Sequence, residues 1–80
     1  MKKVFTREEA KEIGDKLGVD WSVISLDEYV MGVNVELEHG SQDPRTNVTN
    51  DDPITTGKIA WAHLNEIPTY YSKLKVMEGD

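Results

Sequence analysis

The sequence predicts an all-α fold, a compact single domain (1–80) of four short helices at 7–17, 26–39, 53–67 and 69–78, with a long polar loop at 41–52. Three observations predict it. Helix-start signals stand at Thr6-x-x-Glu9, Ser25-x-x-Glu28 and Asp52-Pro53. Apolar residues recur at helical spacing after each. Of the stretches with strand character, Val23-Ile24 finds no second strand to pair with, and Val33 and Val35 fall within a capped segment of long helical period. Eighty residues hold one hydrophobic core. Leu, Ile, Val and Phe make up 19 of them, above the roughly 20% level at which disorder becomes the default.

In the first helix, Thr6 and Glu9 form a capping box: the hydroxyl accepts the Glu9 amide, and the carboxylate reaches back to the Thr6 amide. Ala10, Ile13, Gly14 and Leu17 make the inner stripe, and Gly18 is the residue type that ends helices in a left-handed turn. The connector from Gly18 to Ser25 contains Trp21, which plugs the core. Ser25-Leu26-Asp27-Glu28 is a second capping box, with Leu26, Tyr29, Val30, Val33 and Leu37 on one face and Gly40 as the stop. The loop is rich in Asp, Asn, Thr and Pro, whose short side chains bond their own backbone. Asp52 caps the third helix with Pro53 at its first position. Gly57 inside that helix costs about 1 kcal/mol against Ala, which points to close packing. Pro68 separates the third helix from a fourth that carries Tyr70, Tyr71, Leu74 and Met77.

The composition excludes several function classes. There is no cysteine, hence no disulfide scaffold, thiolate metal site or cysteine nucleophile. No stretch reaches the 18 or more apolar residues of a membrane span, and the N-terminus lacks a signal-peptide core. A cytoplasmic location and no membrane partner are expected. The net charge is −6. From Leu17 to Pro44 there is no Lys or Arg, while Asp20, Asp27, Glu28, Glu36, Glu38 and Asp43 together carry the whole excess. Such a chain is no nucleic-acid binder, which needs a basic face. An acidic surface over residues 20–43 suits a basic protein partner instead.

One constellation carries chemistry. The second helix holds Glu36-x-x-His39 and the third His63-x-x-Glu66, each pair sharing one helix surface. Packed antiparallel, the two helices would bring both pairs together, as in carboxylate-bridged metal bundles. Glu36, His39, His63 and Glu66 are therefore candidate ligands for a divalent ion, Zn²⁺, Mn²⁺ or Fe²⁺. On the helical wheel His63 lies inside the apolar face, Glu36 and Glu66 at its edges, and His39 further round. The commoner outcome for such a histidine is simple packing, with Glu36 or a backbone carbonyl satisfying its nitrogens. Trp61 falls on the polar side of its helix, covering the end of the first helix or anchoring a partner. The loop residues Asp43, Asn47, Asn50, Asp51 and Asp52 lack the spacing of a calcium loop.

The blocks FTREEAKEIGDKLGVDW, GVNVELEHG, TNVTNDDP and TGKIAWAHLNEIPTYYSKL resemble a domain-of-unknown-function family of small proteins from Firmicute bacteria and their phages. The resemblance runs from Phe5 to about Met77. Its most specific parts fall at Glu36, Glu38, His39 and Gly40, and at His63, Leu64, Glu66, Pro68, Tyr70, Tyr71 and Leu74. The family pattern implies acids at positions 62 and 69, where this chain has Ala62 and Thr69. It implies no activity.

Two functions are expected from the sequence. The first is a small non-catalytic interaction protein, phage- or mobile-element-related, working through its acidic surface. The alternative is a metal-binding helical domain. A metallohydrolase built on the same residues ranks below both, because eighty residues leave little room for a substrate pocket.

Overall fold

The computed structural model describes residues 4–42 and 52–77, with the backbone alone at 39–42 and 77. Four helices follow in order: α1 (Arg7–Leu17), α2 (Leu26–Gln42), α3 (Pro53–Glu66) and α4 (Tyr70–Met77). No strand occurs among the described residues, and no helix there is long and apolar enough to cross a membrane.

Local chemistry sets the helix ends. At α1 both halves of the capping box form: the Thr6 hydroxyl accepts from the Glu9 amide at 3.1 Å, and Glu9 accepts the Thr6 amide at 2.9 Å. Gly18 adopts φ 88°, with its N–H on the Asp15 carbonyl and that of Val19 on the Gly14 carbonyl. That pair of bonds is a Schellman ending, and only glycine takes the left-handed position at no steric cost. Residues 21–24 form a turn rather than a strand. The Asp20 side chain accepts the amide and hydroxyl of Ser22, and its carbonyl accepts the amides of Val23 and Ile24. The turn leaves Val23 outside and Ile24 fully inside.

Three expected boundaries move. α2 continues through Gly40 to Gln42, because a helix-interior glycine costs about 1 kcal/mol and does not by itself stop a helix. α3 ends at Glu66, where Ile67 turns extended ahead of Pro68. α4 begins one residue late, at Tyr70. Most of the expected polar loop lies outside the described residues. Asp52 caps α3 as expected, accepting the Thr55 amide at 3.1 Å.

The core is Tyr29, Val33 and Leu37 of α2 set against Ala10 and Ile13 of α1, Ala60 and Leu64 of α3 and Tyr71 of α4, with Phe5, Val19 and Ile24 at its margins. Asn34 clamps the chain ahead of α1, accepting the Phe5 amide at 2.6 Å and donating to the Phe5 carbonyl at 3.1 Å. Further along, Gly14 lies under Trp21 and Tyr29. Phe5 therefore meets residue 34 while Gly14 meets residue 29, so α1 and α2 are antiparallel.

α2 and α3 are not. Tyr29 donates to the Gly57 carbonyl at 3.1 Å, and Glu36 meets His63. Contacts advance together along both helices, which run in the same sense where they touch. A 17-residue helix spans about 26 Å. The residues between Gln42 and Pro53 can bridge about 33 Å, so the connection is long enough for a same-sense return. A short loop would have forced the antiparallel arrangement that the sequence suggested.

Candidate functional site at the junction of α2, α3 and α4

Each member of the site is placed by a different helix. Glu36 stands three residues after Val33 and one before Leu37, at the rim of the α2 core stripe. His63 stands beside Leu64 on α3, and Tyr71 is the inward residue of the first turn of α4. The Tyr71 hydroxyl donates to Glu36 Oε2 at 2.8 Å. His63 Nδ1 lies 2.9 Å from that hydroxyl and 3.2 Å from Glu36 Oε2. Three polar atoms thus form a triangle with a helix behind each corner.

Hydrogen accounting fixes the protons. A tyrosine has one hydroxyl hydrogen, and here the carboxylate receives it. The hydroxyl oxygen then presents lone pairs to His63, so Nδ1 carries a hydrogen and donates. In the neutral ring this leaves Nε2 unprotonated. The imidazole is further fixed by Tyr70, stacked on it at 4.6 Å with planes 17° apart, and by the edge of Tyr71 at 6.0 Å. The Tyr71 ring lies over Gly32, where a methyl group would overlap it. Burial, followed by the hydrogen bond to Glu36 and that carboxylate's charge, holds the Tyr71 phenol well above the usual tyrosine range. It stays protonated.

A second tie joins α2, about two turns earlier, to the residue after Tyr71. Glu28 is only 7% exposed. Its carboxylate accepts the Ser72 hydroxyl and, at 3.3 Å, the Ser72 amide. The Ser25 hydroxyl does accept the Glu28 amide, at 3.4 Å. The carboxylate, however, turns across to α4 and closes no box on Ser25. An anion against the first turn of a helix also opposes the positive end of its dipole.

Of the four expected ligands, the structure brings Glu36 and His63 together. Glu66 is exposed on α3 and stands outside the triangle. The side chain of His39 lies outside the described residues. Among the described residues, no three His, Asp or Glu side chains form a group that could hold a metal ion. The sequence-level reading missed Tyr71 as a polar partner and Gly32 as its seat. The only available signal was a glycine in the middle of a helix, one helix away from a paired tyrosine.

The acidic segment is divided. Glu28 and Glu36 point inward, Asp27 pairs with Arg7, Asp20 caps its turn, and Glu38 is exposed. Asp43 lies outside the described residues.

The fold and this junction define a small all-α domain in which a glutamate, a tyrosine and a histidine from three helices bond to one another. The chain belongs to the family described as Protein of unknown function (DUF5661), whose model matches residues 10–80. That match covers every residue of the junction and bears out the resemblance to a domain-of-unknown-function family. No curated protein and no solved structure matches the chain.

Proposed function

We propose that the chain is a small non-catalytic binding module, and that Glu36, Tyr71 and His63 are an internal tie holding α4 to α2 and α3. The observation that carries this reading is the Tyr71 hydroxyl, 2.8 Å from Glu36 and 2.9 Å from His63. It satisfies both neighbours at once, as buried polar groups require. No buried side-chain nitrogen or oxygen among the described residues is without a partner. The outward carboxylates Asp20, Asp27 and Glu38 are the share of the acidic segment that would face a basic partner, where complementary charge speeds encounter and selects among partners. The test of the tie is a double-mutant cycle with Glu36→Gln and His63→Gln, read by urea unfolding. A coupling of about 1 kcal/mol is expected; additive effects would refute the tie.

The triangle also favours a second reading. Its edges, 2.8 to 3.2 Å, are close to the roughly 2.8–3.1 Å between neighbouring donors of an octahedral ion held at about 2.0–2.2 Å and tighter than the roughly 3.3–3.6 Å of a tetrahedral one. Zn²⁺, Mn²⁺ or Fe²⁺ would then use Glu36 and His63, and of the other two expected ligands, His39 and Glu66, the exposed Glu66 would have to swing in to join them. The raised Tyr71 phenol resists giving up its proton, which favours the tie. Melting curves with each metal against a chelator separate the readings, because only a bound ion raises the midpoint.

A further inference from the structure

We infer that His63 Nε2, on the far side of the ring from the tie, is a ligand for an exchangeable divalent transition-metal ion, with Glu66 as the second protein ligand and water in the remaining positions. This rests on the tie reading and deepens it: Glu36 and Tyr71 hold the ligand and are not ligands themselves. The observation is the unused half of the imidazole. Nδ1 is taken by Tyr71 and Glu36, at 2.9 and 3.2 Å. Nε2 makes no hydrogen bond among the described residues. No buried side-chain nitrogen there lacks a partner, and the His63 side chain is 36% exposed, so Nε2 opens to water. Tyr70, stacked on the ring at 4.6 Å, holds its plane.

A neutral imidazole that gives its Nδ1 hydrogen to a carboxylate and keeps Nε2 open is the form in which histidine binds metal ions. The carboxylate fixes the tautomer and raises the basicity of the open nitrogen. Glu66 stands three residues on, on the same helix surface, exposed and without a hydrogen bond or ion pair among the described residues. Between Lys58 and Lys73 it is the only charged residue, so no lysine or arginine of that stretch competes for it. Its rotation towards His63 supplies an oxygen beside the nitrogen, and a net charge of −6 favours a cation. A nitrogen–oxygen pair suits Zn²⁺ or Cu²⁺ better than Mg²⁺ or Ca²⁺, which take oxygen ligands. With fewer than three protein ligands, the ion exchanges readily, unlike one in a closed structural site.

The test is a Zn²⁺ titration of the full chain, read by NMR at the imidazole nitrogens, with Mg²⁺ as the control ion. Zn²⁺ is expected to move the His63 Nε2 resonance while Nδ1 keeps its proton, and Mg²⁺ to move neither. In His39→Gln, which leaves His63 as the only imidazole, the same response is expected. Glu36→Gln should weaken binding roughly 10–100-fold, the usual cost of losing the group that holds a ligating histidine, with Nε2 still the ligating nitrogen. Glu66→Gln, at an exposed position that leaves the core intact, removes a ligand outright and should cost no less. No Nε2 response, an equal response to Mg²⁺, affinity unchanged by Glu66→Gln, or a response lost in His39→Gln would each overturn the inference. Coordination through Nδ1 would overturn it too, in favour of an ion inside the triangle. The Glu36/His63 double-mutant cycle, run without metal, reads the tie independently.

Discussion

Gly32 is the residue whose replacement separates packing from propensity. A helix-interior glycine changed to alanine ordinarily stabilises by about 1 kcal/mol. At this position the methyl would overlap the Tyr71 ring, and forced overpacking costs about 1–3 kcal/mol. Gly32→Ala is therefore expected to lower the urea midpoint, and a raised midpoint would show that the ring has room to shift. The sequence made Glu36 and His63 legible, because each sits at a computable angle to an apolar stripe on its own helix. It did not make Tyr71 legible as their partner. Within α4 that residue reads as one more aromatic on a stripe, and its hydroxyl acquires a role only where three helices meet. Gly57 was legible as a close approach, and Ile13 and the Tyr29 hydroxyl do crowd it.

At the scale of elements, α4 is the dependent part. Eight residues are too few for a helix to persist alone in water, so its order comes from Glu28 and from the tie at Tyr71. Glu28→Ala removes a buried acceptor of the Ser72 hydroxyl and amide, at a cost on the order of 2 kcal/mol. Hydrogen exchange should then quicken through α4 while the amides of α1 and α3 keep their protection; a uniform loss would show that α4 has no independent opening. Thr6-x-x-Glu9 and Ser25-x-x-Glu28 carry the same pattern, yet the first glutamate folds back and the second crosses to another helix. The difference comes from what stands opposite. Glu9 lies beside the open amides of its own helix, whereas the buried Glu28 faces those of α4. A local motif cannot report that. The order of the helices was legible in their caps, but the mutual sense of α2 and α3 was not, because loop composition states reach without direction.

For the whole molecule, acid and alkali act through different groups. Hydrogen bonds from Lys11 and Trp21 hold the Asp15 carboxyl below its ordinary 3.8, and bonds from Ser22 and Thr55 do the same for Asp20 and Asp52. The folded form binds those protons less readily than the unfolded form. The stability they confer is present above about pH 3.8 and is lost as pH falls below it. Burial pushes the Tyr29 phenol from 10.0 up to about 12. Its contribution is complete below pH 10 and disappears as pH rises towards 12. Thermal midpoints should decline on both flanks, and Tyr29→Phe should flatten the alkaline decline; an unchanged alkaline slope would assign that loss elsewhere.

Gly14, Gly32 and Gly57 have a joint consequence. Each is a gap in a helix surface filled by a bulky side chain: Trp21, Tyr71 and Ile13 respectively. At Gly32 and Gly57 the peg comes from another helix, so sliding α4 along α2, or α1 along α3, by one turn would press Tyr71 or Ile13 against a side chain in place of a glycine. The sockets act as a vernier on helix register. A core this small would otherwise tolerate several near-equivalent packings, and the gaps at Gly32 and Gly57 disfavour the slipped ones.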